Sequence, residues 1–171
     1  MNAFETYQDT IYACSNYYQA SNPAACFLYT LTSGALNNHV AGRPSMTPIT
    51  PLEYATNSLL FATFTSSKSN MLKNHYVNVV THEDYVKTML LDGSSIASSF
   101  KNDILVGSEK YKYAQIPISA LAHRLSNSNP KGVFVARIYG MGTNDRGTVG
   151  ESYAYAAGSR ISRKIDILVD G

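Results

Sequence analysis

The feature that most constrains this chain is a long stretch with almost no charge. Between Thr10 and Leu52, 43 residues include a single charged side chain, Arg43, and many Tyr, Asn and Ser. A freely soluble monomer usually covers its surface with charges of both signs. Tyr is favoured at interfaces because it buries a large ring and keeps a polar tip. We therefore expect residues 1–52 to carry the main contacts with other proteins.

The composition is that of a globular chain. Hydrophobic residues make up 44% of the 171 residues, and charged residues only 15%, against about 25% in typical domains. Disordered chains are rich in charge and poor in aromatics, whereas this one has 13 Tyr. A domain of this length buries roughly 70% of its unfolded surface. We expect a single domain that needs no cofactor, metal or disulfide to fold.

The low-charge N-terminal segment, residues 1–52, which we call the arm, is predicted to begin with a helix. Apolar and aromatic side chains recur at spacings of three and four over residues 4–20, from Phe4 to Tyr18. Asn22-Pro23 ends that pattern, and residues 25–32 then predict a strand. Glycines and prolines between residues 33 and 51 indicate a long loop laid along another surface. The predicted organisation is an N-terminal helix, strand and low-charge arm over 1–52, followed by a core over 53–171.

Short helices are predicted to alternate with strands inside the core. The helical stretches are residues 52–57, 85–91 and 118–125, and the strands between them cover 59–65, 77–80 and 111–116. Before the second helix, residues 81–84 read Thr-His-Glu-Asp, an N-cap candidate with acids in the first turn. Asn129-Pro130 ends the third helix.

The last third of the chain alternates strongly and predicts a β-meander. Residues 133–139, 151–157 and 160–169 each place apolar and polar side chains on alternate faces, separated by a turn-rich segment at 140–147. The last of these strands turns Arg160, Arg163 and Lys164 towards solvent. The sequence thus predicts an α+β single domain. It has a mostly antiparallel sheet, an N-terminal helix, two or three short helices and a C-terminal β-meander.

The motifs expected of an enzyme are weak. Gly140 and Gly142 follow a strand as in a dinucleotide fingerprint, but the third glycine position holds Asp145 and no helix follows. We interpret that segment as a hairpin connection. His82 with its two acidic neighbours could act as acid and base or hold a metal, but helix capping is the simpler interpretation.

Histidine and cysteine spacing also gives little support to catalysis. Neither Cys14 nor Cys26 has a local group that would lower a thiol pKa, and no two histidines have metal-ligand spacing. A small Cys/His-dependent hydrolase is kept as a remote alternative, and we predict that the chain is not an enzyme. The two cysteines are free, bridged or modified, and the sequence does not decide which.

Nucleic acid is an open but less favoured partner. Lys110 and Lys112 alternate with Tyr111 and Tyr113, a combination that can bind single strands by charge and stacking. The sequence pI of about 8.5 is below that of dedicated nucleic-acid binders. No apolar run approaches the ~20 residues needed to span a bilayer, so we expect no membrane partner. The chain does not open with a basic and then apolar leader, so we expect no cleavable signal peptide.

One segment is similar to a known family. Residues 60–64, 75–80, 85–91, Gly93 and Ile96 follow a strand–loop–strand–helix–strand order, which resembles the small terminal domain of phycobilisome rod linkers. Where that family has Val-Pro and a Gly-Gly-Lys-Ile run, residues 79–81 read Val-Val-Thr and residues 92–96 read Asp-Gly-Ser-Ser-Ile. The likeness covers about 40 residues. It implies a light-harvesting linker with Cys14 or Cys26 as candidates for bilin attachment.

These observations favour a non-enzymatic structural subunit of a large assembly. The first hypothesis is a virion protein of a phage capsid, cement, neck or tail, assembled in the host cytoplasm with copies of itself or other structural proteins. The antenna linker is the alternative. The predicted interface residues are Tyr7, Tyr12, Tyr17, Tyr18, Tyr29, Arg43, Arg160, Arg163 and Lys164.

Overall fold

A computed structural model describes residues 6, 8, 17–21, 24–30, 44–65, 71–143 and 150–158. In these ranges 56% of the residues lie in strands and 10% in short helices. The strands are β1 (Phe27–Thr30), β2 (Ser45–Pro48), β3 (Ser58–Ala62), β4 (Asn74–His82), β5 (Met89–Leu91), β6 (Ser94–Ser95), β7 (Asn102–Val106), β8 (Glu109–Ile118), β9 (Ala122–Asn127), β10 (Phe134–Thr143) and β11 (Gly150–Ala157). Three 3₁₀ helices, Leu52–Tyr54, Glu83–Thr88 and Ala97–Ser99, connect some of them.

The strands form three antiparallel sheets. A five-stranded sheet has the order β11-β10-β4-β8-β7, and a four-stranded sheet has the order β3-β9-β5-β6. The third sheet is a two-stranded ribbon, β1-β2, whose second strand lies against β11.

The hydrophobic core joins the two larger sheets. Val77, Val79 and Ile138 come from the five-stranded sheet, and Met89 and Leu125 from the four-stranded one; all five are fully buried in one cluster. Alternation explains the arrangement, because successive residues of a strand point to opposite faces. Burial along β4 and most of β10 follows that period of two. The described residues therefore form a sandwich-type all-β fold.

Two glycines let β10 approach its neighbours closely. A Cβ at Gly142 would overlap the backbone carbonyl of Met71, and one at Gly140 would overlap the ring of Tyr153. The prediction that these glycines belong to a hairpin connection is wrong, because both lie inside β10. They serve packing, since only a residue without a side chain fits there.

The α+β prediction is wrong, because more than half of the described residues lie in strands and the predicted core helices are shortened to 3₁₀ helices or replaced by strands. Residues 118–125 form the end of β8 and most of β9. The apolar spacing there suggested one helical face, but Leu121 is 72% exposed whereas His123 and Leu125 are buried in alternation. Of residues 85–91, four complete the 3₁₀ helix Glu83–Thr88 and three form β5. The predicted helix at 52–57 is reduced to the single turn Leu52–Tyr54.

The arm also differs from the prediction. Of the expected helix over residues 4–20, residues 6, 8 and 17–20 are described and are not helical. Phe4, Tyr7, Ile11 and Cys14 lie outside the described residues. The strand predicted over 25–32 is confirmed for Phe27–Thr30, which form β1, whereas residues 31 and 32 lie outside the described residues. Part of the expected loop is wrong, because Ser45–Pro48 forms β2 and pairs with β1.

The predicted meander is confirmed for its first two strands. β10 and β11 pair antiparallel, from Ala136 with Ala157 to Thr143 with Gly150. The third predicted strand, 160–169, lies outside the described residues. Across the ranges that the structure describes, no helix has the length and apolar character required to cross a membrane.

Candidate protein-binding surface

The outer face of the β1-β2 ribbon is apolar and exposed. The register pairs Phe27 with Pro48 and Tyr29 with Met46, and antiparallel partners point to the same side. Phe27 is 54% exposed, Tyr29 64% and Met46 53%, and Pro48 is exposed as well. We call these four residues the ribbon face.

The opposite side of the ribbon is anchored. Leu28 and Thr47 pair across it, and Thr47 is completely buried. β2 lies against β11, and the amide of Ile49 donates to the carbonyl of Cys26 at 2.9 Å. The ribbon is therefore fixed on the sandwich, and its apolar face is exposed to solvent.

The chemistry of the ribbon face suits protein binding. Residues 24–30 and 44–50 contain no charged side chain. Contiguous exposed apolar surface on a folded domain marks an interaction site more often than scattered single residues do. Aromatic side chains at the centre of such surfaces contribute most of the binding energy.

Of the predicted interface residues, the structure places one on the ribbon face, Tyr29. Tyr17 and Tyr18 are 44% and 47% exposed elsewhere in the arm. Phe27 and Met46 were missed: Phe27 lies two residues before Tyr29 and so on the same face of β1, whereas Met46 is brought there by the pairing of β2 with β1. The remaining predicted residues, Tyr7, Tyr12, Arg43, Arg160, Arg163 and Lys164, lie outside the described residues.

The capping interpretation of the His82 cluster is confirmed. His82 is the N-cap of Glu83–Thr88, and its Nδ1 accepts from the amide of Asp84 at 3.3 Å. The rings of Tyr85 and Tyr111 lie 6.0 and 5.4 Å from the imidazole. A shallow cleft of ≈ 370 Å³ opens beside them, lined by apolar side chains together with Asp84, Glu109 and Lys131.

A polar network missed by the sequence analysis fastens β9 to the β5–β6 turn. Nδ1 of His123 lies 2.6 Å from a carboxylate oxygen of Asp92, and the other oxygen accepts from the amide of Arg124 at 2.7 Å. These two contacts hold the pKa of Asp92 below its usual value, the amide more than the imidazole. The participants are about 30 residues apart in sequence, so no local spacing reveals them.

Ser119 completes a Ser–His–Asp contact, but the geometry is that of a turn. Nε2 of His123 lies 3.3 Å from the Ser119 hydroxyl and 3.1 Å from the carbonyl oxygen of the same residue. The Asp92 carboxylate accepts the Nδ1 proton, so in the neutral ring Nε2 is an acceptor for the hydroxyl of Ser119, which lies four residues before His123. The network therefore closes the β8–β9 connection.

A second buried histidine lies inside the sandwich. Nδ1 of His75 lies 2.8 Å from the hydroxyl of Tyr153, and among the described residues Nε2 has no hydrogen-bond partner. Burial lowers the pKa of His75 and raises that of Tyr153 to about 12. In both cases burial disfavours the charged form, the imidazolium of His75 and the phenolate of Tyr153.

The lysines considered for nucleic-acid binding point away from the tyrosines between them. Lys110 and Lys112 alternate along β8 with Tyr111 and Tyr113, so the two sets lie on opposite faces. Both lysines form ion pairs with Asp103, Lys110 at 3.0 Å. This arrangement separates the charge from the stacking surface.

The described residues offer little for a metal or cofactor. In the part of the chain that the structure describes, no three His, Cys, Asp or Glu side chains come together in a way that could hold a metal ion. Cys26 is exposed and has a free thiol, whereas Cys14 lies outside the described residues.

A comparison with protein families gives a match that covers most of the chain. The model of the family described as IgGFc binding protein matches residues 1–140, more than four fifths of the chain. The chain therefore belongs to this family. The match includes the ribbon face and ends inside β10. Neither the curated proteins nor the solved structures contain a significant match to the chain.

Proposed function

We propose that this chain is a non-enzymatic protein-binding domain whose ribbon face docks on the Fc region of immunoglobulin G. The observation that carries the proposal is the anchored ribbon with Phe27, Tyr29 and Met46 turned to solvent. The description of the family supports the choice of partner.

The energetics favour apolar docking. Full burial of side chains of this kind is worth roughly 1.5–3 kcal/mol each, before the loss of translational and side-chain freedom on association. Since the described ribbon carries no charge, salt has little to screen at its centre. We therefore expect the affinity to change little with ionic strength, unlike that of a charge-steered complex.

The experiment is a binding titration of the full chain against purified IgG Fc fragment at low and high salt. The ribbon variant carries Phe27→Ser and Tyr29→Ser. The matched control is Leu105→Ser, which removes a 69% exposed apolar side chain from β7. We expect the ribbon variant to bind at least about tenfold more weakly, as for loss of a binding hot spot, and the control to bind like the parent chain.

The same exposed face favours a second candidate, a structural subunit that binds copies of itself. An apolar ribbon within the low-charge stretch 10–52 would also suit a homo-oligomer. Sedimentation of the chain alone over a range of concentrations separates the two, since a subunit assembles without Fc. The virion assignment, the host-cytoplasm location and the antenna-linker alternative stay predictions.

A further inference from the structure

Arg137, on the strand next to the centre of the five-stranded sheet, has no charged partner among the described residues. Arg137 lies on the face of β10 that points away from the core, beside Asn78 of β4 and Ala156 of β11. Its guanidinium lies 5.3 Å from the centroid of the Tyr139 ring. Among the ion pairs formed by described residues, none includes Arg137.

Two neighbouring polar atoms are buried there without hydrogen bonds. They are Nη1 of Arg137, a donor, and Oδ1 of Asn78, an acceptor. Burial also lowers the pKa of the guanidinium. Buried polar atoms almost always have partners, so each exception calls for an explanation. A buried charge without a counter-charge is the more costly of the two.

The surrounding side chains add a third hydrogen-bonding group and a stacking surface. Nε2 of Gln115 donates to the hydroxyl oxygen of Tyr139, which leaves the proton of that hydroxyl to donate elsewhere. The Tyr139 ring stacks on Tyr76 at 5.2 Å. Gln115 is exposed, so the group borders solvent on the β8 side.

We propose that Arg137 and Asn78 bind a carboxylate with a neighbouring N–H group, the chemistry of a peptide C-terminus or a free N-acyl amino acid. The carboxylate accepts from Arg137 and from the Tyr139 hydroxyl. The N–H donates to Oδ1 of Asn78, and an apolar side chain of the ligand packs on the Tyr76 and Tyr139 rings. This site is on a different sheet from the ribbon face and does not depend on Fc binding.

The first test varies the ligand and leaves the full chain unchanged. Calorimetric titration compares N-acetyl-phenylalanine with its C-terminal amide, with phenylacetate, and with a short peptide ending in a free Phe carboxylate. We expect the amide to bind at least about tenfold more weakly, because it lacks the charge that pairs with Arg137. Phenylacetate lacks the N–H and falls between the two. Tight binding of the peptide identifies a C-terminus as the source, and binding of the small acid alone identifies a free N-acyl amino acid.

The second test varies the protein. Arg137→Gln should weaken binding of N-acetyl-phenylalanine at least about tenfold. The matched control Arg124→Gln, an exposed arginine on β9, should leave it unchanged. Equal binding of acid and amide by the parent chain, or no saturable binding of any of the four ligands, would overturn the proposal.

Discussion

Large apolar side chains are exposed in the β1-β2 ribbon and buried in the five-stranded sheet. The ribbon turns Phe27 and Tyr29 to solvent, whereas β4 and β10 bury Val77 and Ile138 completely. An isolated two-stranded ribbon is marginally stable. Here β2 packs against β11, which covers one face of the ribbon and leaves the other exposed. The sandwich has two sheets that cover each other. The comparison teaches that apolar residues of the sandwich hold the fold, while those of the ribbon face are available to a partner.

The largest expected effect is in the sandwich. Phe134 is 1% exposed, with its side chain in the core. Phe134→Ala should lower the free energy of unfolding by about 3–5 kcal/mol, because it removes a large buried ring and leaves a cavity. Urea unfolding followed by circular dichroism measures the loss. Leu105→Ala, a change at an exposed site, should stay within about 0.5 kcal/mol. Similar losses in both variants would contradict the assignment of the core.

The next prediction concerns how the buried His75 makes the stability of the sandwich depend on pH. Because burial lowers the pKa of His75, the unfolded chain takes up a proton at a higher pH than the folded one. Stability should therefore fall as the pH drops below about 6.5, the ordinary histidine value. Thermal unfolding between pH 7.5 and 5 should show this fall in the parent chain and a smaller one in His75→Gln. Lys131→Gln, a change at an exposed side chain, is the control. An equal slope in the parent chain and His75→Gln would refute the buried, uncharged state.

A smaller effect is expected at the sandwich edge. Asp92 accepts hydrogen bonds from Arg124 and His123, and its pKa is lowered. Asp92→Asn should cost about 1 kcal/mol near neutral pH, since the carboxylate is half exposed and solvent screens it. Because a lowered carboxylate pKa stabilises the fold above the unfolded value near 3.8 and loses that effect on acidification, the difference between the two chains should shrink below pH 4. Asp84→Asn serves as a surface control. A difference that stays constant down to pH 2 would contradict the charge-based explanation.

The smallest stability effect is expected in the ribbon. Tyr29→Ser should change the free energy of unfolding by no more than about 0.5 kcal/mol, because the ring is 64% exposed. Denaturant unfolding of both Tyr29→Ser and Leu28→Ser measures the difference. Leu28 lies on the anchored side of the ribbon, so Leu28→Ser should lower the free energy of unfolding more. If Tyr29→Ser destabilised the chain as much as Leu28→Ser did, the ribbon face would be part of the fold.

The sequence predicted the structure correctly where the local pattern of one segment is sufficient to define a strand. Alternation predicted β10 and β11, and the low-charge stretch indicated the N-terminal segment that contains Tyr29 as a protein-binding region. It failed where a partner strand decides the structure. The spacing of Ile118, Leu121 and Leu125 fits one helical face equally well, and pairing of β9 with β3 and β5 overrides it. The Asp92–His123 contact and the Arg137–Asn78 pair join distant segments, so both depend on strand register.

The most direct test measures binding and stability on the same preparation of the Phe27→Ser, Tyr29→Ser variant. We predict unfolding within about 1 kcal/mol of the parent chain, taking the two surface changes as additive. We also predict affinity for IgG Fc fragment reduced at least about tenfold. Fc affinity equal to that of the parent chain, in a variant that folds normally, would contradict the central claim that the ribbon face is the binding surface.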